Sequence, residues 1–258
     1  MPDLLHERRG DVAWITFNRP EARNALTFAM YEELARICEA ANGDSGLRVM
    51  VLRGAGDKAF ASGTDINQFR AFKTPQDALD YEARIDRILT ALEQVRVPTI
   101  AAISGACTGG GAGIAACCDL RIAARNSKLG FPIARTLGNC LSSANLSRLT
   151  GLVGAARVKE MIFTAKLIGA EDAAKIGLVH EVVEDLPALE ARAAQLAGEV
   201  AAMAPLTLRS TKEGLRRLQH RLTREEAEDL ILMCYMSSDF REGMDAFLDK
   251  RPPRWRGE

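Results

Sequence analysis

The chain has 258 residues, 47% hydrophobic and 26% charged, a balance that fits a soluble globular enzyme of one large domain or one domain with an appendage. Lysine plus arginine equals aspartate plus glutamate at 34 each, so no general affinity for nucleic acid or a membrane surface is implied. Apolar runs break well short of a bilayer span, and the start Met1-Pro-Asp-Leu-Leu-His-Glu-Arg lacks a signal peptide pattern, so a cytoplasmic protein is expected.

Val12–Phe17 alternates and reads as a strand, followed by an Asn18–Asn24 loop. Thr27 is placed to cap a helix running to about Ala41, with Leu34 and Ile37 inward. Val49–Leu52 reads as a buried strand, and a glycine-punctuated turn follows from Gly54 to Asp65. Asp77–Gln94 has helical spacing, with Tyr81, Ile85, Ile88 and Leu92 on one face. Thr99–Ile103 reads as a strand that enters a second glycine turn, Gly105 to Gly113, with three consecutive glycines. A short apolar helix over Ala112–Cys117 and a strand over Asp119–Ala123 come next, and a further strand is read at Gly177-Leu-Val-His180. From about Pro187 strands stop, and 189–203, 206–218 and 224–236 read as helices.

The two glycine turns occupy equivalent places in successive strand–turn–helix units, a weak internal repeat and an α/β pattern. Glycine frees backbone amides to point into open space, and an amide at a helix start is an anion ligand. Two such turns meeting would make a two-donor oxyanion hole. Gly111-Ala-Gly-Ile-Ala-Ala116 also fits a dinucleotide turn, but nothing acidic follows between Asp119 and Glu160 to bind a ribose. No G-K-[ST] marks a phosphate loop. The six cysteines form no C-x-x-C pair, so no metal site is expected and core thiols are read.

In register along the chain stand Asn18-Arg-Pro-Glu-Ala-Arg-Asn-Ala-Leu26, Ala59-Phe-Ala-Ser-Gly-Thr-Asp-Ile66, Gly105-Ala-Cys-Thr-Gly-Gly-Gly111 and Cys118-Asp-Leu-Arg-Ile-Ala123. Ala173-Ala-Lys-Ile-Gly-Leu-Val-His-Glu-Val-Val183 and the closing Phe240–Arg251 stretch follow. Together they resemble the crotonase (enoyl-CoA hydratase/isomerase) superfamily. The resemblance implies an α/β fold, a crotonase (ClpP-like) spiral of repeated ββα units over 1–190, with a C-terminal helical trimerisation region over 191–258. It implies a homotrimer, or a hexamer made of two trimers.

It also implies an acyl-CoA thioester partner, with coenzyme A as part of the substrate and no separate cofactor. The thioester oxygen would meet the amides of Thr64 and Gly110. The Arg23–Ala25 loop and the Ala61–Ile66 turn, including Gly63 and Asp65, would line the CoA groove, with Thr108, Gly111, Pro132 and Ile133 adjoining. Lys250 or Arg251 would reach the CoA phosphates. Asp65 and Asp119 read as structural hydrogen-bonding groups.

Against the family pattern, the two glutamates that act as acid and base around a water are replaced by Gly113 and Ile133. A third family position, carrying Asp in some isomerases, falls near Ser142. From Leu120 to Lys159 there is no Asp or Glu, while seven basic residues occur from Arg121 to Lys159. The histidines His6, His180 and His220 read as surface or packed side chains. Glu82 would act as base only if it turns inward; the favoured reading is a solvated helix face. Cys140 could face the acyl group, but the favoured reading is a buried structural thiol. Three readings compete: an atypical crotonase enzyme suited to decarboxylation or isomerisation, a silent acyl-CoA binder, and a dinucleotide-dependent oxidoreductase.

Overall fold

The computed structural model describes residues 1–71, 74–218, 237–239, 242, 246, 249, 251 and 253–258. The expected helix over 224–236, together with Cys234, His220, Lys250 and most of the Phe240–Arg251 motif, lies outside the described residues.

Ten strands and seven helices are formed among the described residues. A six-stranded sheet has the order β1 (Leu4–Arg9), β2 (Val12–Phe17), β3 (Val49–Gly54), β5 (Thr99–Ile103), β7 (Leu120–Ala124), β10 (Glu181–Val183). A smaller sheet has the order β4 (Ala59–Ala61), β6 (Ala106–Thr108), β8 (Lys128–Gly130), β9 (Ile168–Gly169). Pairing is parallel except for β1 with β2 and β8 with β9. The repeat is explicit: β3 and β4 precede helix α2 (Pro75–Glu93), β5 and β6 precede α3 (Gly110–Cys117), and β7 and β8 precede α4 (Ser143–Thr164). In each unit one strand joins the large sheet and the next joins the small one.

Period-2 patterning sorts the strands between two cores. Ala13, Ile15 and Phe17 of β2, with Met50 and Leu52 of β3, face the main core beneath α1 (Phe28–Ala41). Val12, Trp14, Val49, Val51, Ile100 and Ala102 face the other way, onto Leu189, Ala193 and Ala197 of α6 (Leu186–Ala201). Alternation within β2 therefore marks two buried faces rather than one solvated face. Thr27 Oγ1 accepts from Met30 N at 3.2 Å, and Leu34 and Ile37 are buried, as the helix reading required.

Helix α7 (Pro205–Leu218) is tied to the loop before β5 and to the start of β7. Lys212 Nζ lies 2.7 Å from Asp119 Oδ2, which also accepts from Thr99 N at 2.7 Å. Asp119 thus has the structural role read from the sequence. Residues Gly177–His180 form no strand; they turn, and pairing resumes only at Glu181. Gly177 has φ +78, a left-handed conformation that ends α5 (Ala170–Lys175) and breaks the strand register before it can form. No helix among the described residues is long and apolar enough to cross a membrane.

Candidate active site

The first glycine turn is fixed from outside by one buried side chain. Asn24, whose φ is +54, donates from Nδ2 to Ala59 O at 2.7 Å and Ala55 O at 3.1 Å. The chain around it then zips onto the turn: Ser62 N donates to Arg23 O at 3.1 Å, Leu26 N to Gly63 O at 2.8 Å, and Asp65 N to Leu26 O at 2.8 Å. Asp65 accepts from Asn67 N at 3.1 Å and Arg19 Nη1 at 3.2 Å. The Asn67 amide and then the Arg19 contacts hold its carboxyl below the usual range despite opposing desolvation. Asp65 is structural here, in line with the sequence.

The second turn is locked against the first. Strand β4 pairs with β6 in parallel, so both turns leave the small sheet at the same end of their strands. Gly105 has φ +67, and a Cβ there would stand 2.2 Å from the Lys58 carbonyl. A Cβ on Gly111 would stand 2.2 Å from Ala61 O, so α3 sits directly on β4. Ala61 and Gly111 therefore meet each other between the turns. Gly63, with φ +108, would place a Cβ 3.8 Å from Gly110 N. That closeness brings the Thr64 and Gly110 backbones to one cleft. Neither amide donates to another protein group among the described residues. Gly110 opens α3, where the first amides have no intrahelical acceptor.

Ten of the residues singled out from the sequence line this cleft: Gly63, Thr64, Ile66, Glu82, Thr108, Gly110, Gly113, Pro132, Ile133 and Cys140. Arg23, Ala25, Ala61, Asp65 and Gly111 stand outside its lining and support the turns instead. Two expectations are corrected. Cys140 is exposed, not a buried structural thiol, because it lies in the irregular stretch between the Pro132–Ala134 turn and α4. Glu82 does not lie on a solvated face; it is half-buried and turned to the cleft, one position past the inward Tyr81. Cys38, Cys107, Cys117 and Cys118 are buried free thiols, as read. Ser142 caps α4 and donates to Asp86 Oδ1 at 2.7 Å.

Sequence reasoning missed a hydroxyl chain. Tyr31, fully buried on α1, lies 3.0 Å from Thr64 Oγ1, which lies 3.0 Å from the Tyr81 hydroxyl on α2. Burial pushes the Tyr31 hydroxyl well above its usual pKa and raises that of Tyr81, so both stay protonated. A signal did exist: Tyr31 stands at an inward position of an apolar face, and a buried tyrosine hydroxyl needs a partner. Asn145, Phe131 and Leu89 also line the cleft without having been singled out.

The repeated ββα spiral with a cleft between its glycine turns defines an α/β protein of the crotonase class. The enoyl-CoA hydratase/isomerase family model matches residues 7–258, and the chain belongs to that family as one of its enzymes. It is 34% identical to a crotonyl-CoA hydratase of Syntrophomonas wolfei, over 96% of each chain. It is 33% identical to a 2,3-dehydroadipyl-CoA hydratase of Escherichia coli, over 100% of each. Among solved structures it resembles an enoyl-CoA hydratase/carnithine racemase from Magnetospirillum magneticum, with TM-score 0.93 and 35% identity over 100% of this chain and 97% of that one. Membership removes the dinucleotide reading of Gly111–Ala116.

Proposed function

We infer that this enzyme binds an acyl-CoA thioester with its carbonyl oxygen between the amides of Thr64 and Gly110. The observation that carries this reading is the pair of amides, both without a protein acceptor among the described residues, on two residues that line one cleft. Charge develops on that oxygen when an α-proton or a carboxylate leaves the acyl group. Preorganised donors of this kind contribute about 2.7–4 kcal/mol each to the transition state. The Arg23–Ala25 loop, zipped to the Ser62–Asp65 turn, frames the side by which the CoA moiety would enter.

Two-glutamate hydration does not suit this cleft, since Gly113 and Ile133 stand at its acid and base positions. Chemistry that runs chiefly on a stabilised enolate, isomerisation or decarboxylation, suits it better. A second reading, a silent acyl-CoA binder, is favoured by the same two residues. The C-terminal region over 191–258 would hold three chains together, which light scattering would read as a trimeric or hexameric mass.

Titration with acetyl-, crotonyl- and malonyl-CoA, followed by product analysis, tests the assignment. Gly110→Pro removes one amide and should abolish turnover. Unchanged turnover in that variant would overturn the oxyanion reading, and tight binding without turnover of any thioester would favour the silent binder.

A further inference from the structure

The segment that carries acid and base groups elsewhere in the family supplies none here, yet a carboxylate reaches the cleft from another element. Glu82, on α2, is the only Asp or Glu among the described residues lining it. The other carboxylates of this helix are engaged. Asp77 accepts from Thr74 N at 2.7 Å, and Asp80 from Gln76 Nε2 at 2.7 Å. Asp86 accepts from Ser142 Oγ at 2.7 Å, and Glu93 from Arg148 Nη2 at 2.7 Å. Glu82 alone makes no hydrogen bond or ion pair among the described residues.

A half-buried carboxylate without a partner costs stability, so the fold gains nothing from it. Such a group inside a cleft is a functional candidate. Desolvation, and then the charge of Asp86 one turn on, holds its carboxyl above the usual glutamate range. That moves it toward the range where a carboxylate both takes and returns a proton.

We propose that Glu82 is the catalytic base of this enzyme and removes a proton from the acyl α-carbon of the bound thioester. The proposal rests on the Thr64/Gly110 reading above. The C–H bond breaks, its electron pair passes to the thioester oxygen, and the proton resides on a Glu82 oxygen. The enolate oxygen is held by the two amides. Return of the proton to the α-carbon regenerates the substrate. Return to the γ-carbon of a β,γ-unsaturated acyl group gives the α,β-unsaturated isomer. Nothing is oxidised and no co-reactant is consumed, so one carboxylate suffices. The substrate class is therefore acyl-CoA thioesters with an abstractable α-proton, β,γ-unsaturated ones for net turnover.

The test is α-proton exchange in deuterium oxide, followed by NMR, with acetyl-, butyryl-, octanoyl- and phenylacetyl-CoA. Binding of each to wild type, Glu82→Gln, Glu82→Asp and Gly110→Pro is measured by calorimetry, and circular dichroism checks folding. The wild type is expected to exchange at least one thioester. Glu82→Gln should lose about 100-fold or more of that rate, with its dissociation constant within about threefold of wild type. Glu82→Asp, which keeps the carboxylate on a shorter stem, should fall between them and carries the test if Glu82→Gln does not fold. Exchange by Glu82→Gln within about threefold of wild type would overturn the proposal. So would wild-type binding with no exchange on any thioester. Failure of the wild type to bind any of them, or wild-type exchange by Gly110→Pro, would instead overturn the Thr64/Gly110 reading.

Discussion

The Tyr31 hydroxyl and Thr64 Oγ1 lie 3.0 Å apart, and the Tyr31 oxygen occupies the place of a missing side chain. A Cβ on Gly110 would stand 1.9 Å from it. The Tyr31–Thr64 hydrogen bond has a preferred sense. Tyr31 is buried at 0% exposure, and a buried hydroxyl proton without an acceptor is costly, so Tyr31 donates to Thr64 Oγ1, which also contacts the Tyr81 hydroxyl. The side chain beside one proposed oxyanion amide is thereby clamped from two helices.

Gly110→Ala should therefore displace Tyr31 and with it Thr64, cutting turnover of the active thioester about 10- to 100-fold. Tyr31→Phe alone should cost about 0.5–1.5 kcal/mol of stability, because Thr64 keeps its bond to Tyr81. The double variant should recover part of the activity lost by Gly110→Ala, because the atom in the way is gone. Steady-state kinetics of the four proteins read the coupling; strict additivity would contradict the steric account.

Glu82 carries a stability signature independent of any assay of turnover. Its carboxyl titrates above its unfolded value, so the folded state holds the proton more tightly. The stability linked to that proton is fully present below the unfolded pKa and is lost as pH rises through the folded one. Ionised Glu82 then faces the apolar Ile85 and Leu89 and the charge of Asp86, with the Tyr81 hydroxyl and Cys140 also lining the cleft. Glu82→Gln should melt higher than wild type at neutral pH, and the gap should close as pH falls to about 4. Calorimetric melting across pH checks this; an equal or lower melting temperature at neutral pH would show that the carboxylate is not penalised.

Strand and helix order was legible because period-2 and helical spacing are local properties. The Val12–Phe17, Val49–Leu52 and Thr99–Ile103 runs needed no partner to be recognised. The glycine turns were legible through composition alone. The hydroxyl chain was not, since Tyr31 and Tyr81 lie 33 and 17 positions from Thr64 and on different helices. Glu82 was misplaced for a related reason. Helical periodicity ranks faces by hydrophobicity, and it cannot see that a cleft opens beside a polar position. Cys140 was misjudged because the habit of thiols to be buried outweighed the irregular chain around it.

The bond network at Asp119 joins helix α7 to the sheet. Lys212 of α7 donates to Asp119 Oδ2 and, at 3.3 Å, to Val97 O, while Thr99 N and Oγ1 donate to the same carboxylate oxygen. Removing Lys212 leaves a partly buried carboxylate short of its cation. Lys212→Met should cost about 1.5–3 kcal/mol, with little change in acyl-CoA affinity because the cleft lies elsewhere. Urea unfolding with a parallel binding titration separates the two; loss of binding at full stability would contradict it.

Gly113 and Ile133, which the resemblance aligns with the family's acid and base, are open to substitution. A Cβ on Gly113 meets only Leu89 Cδ1 at 3.6 Å and Asn145 Oδ1 at 4.0 Å, so a longer side chain can start there without moving backbone. Ile133 already lines the same cleft. Hydration needs one group to take a proton from water and another to protonate the α-carbon, so a single replacement should do little. Gly113→Glu with Ile133→Glu should raise hydration of crotonyl-CoA about 100-fold or more above wild type, read as loss of the enoyl chromophore's ultraviolet absorbance. Each glutamate alone should stay near the wild-type rate. Fast hydration by the wild type would mean that another pair of groups in this cleft does the work, and Glu82 would be the first of them to replace.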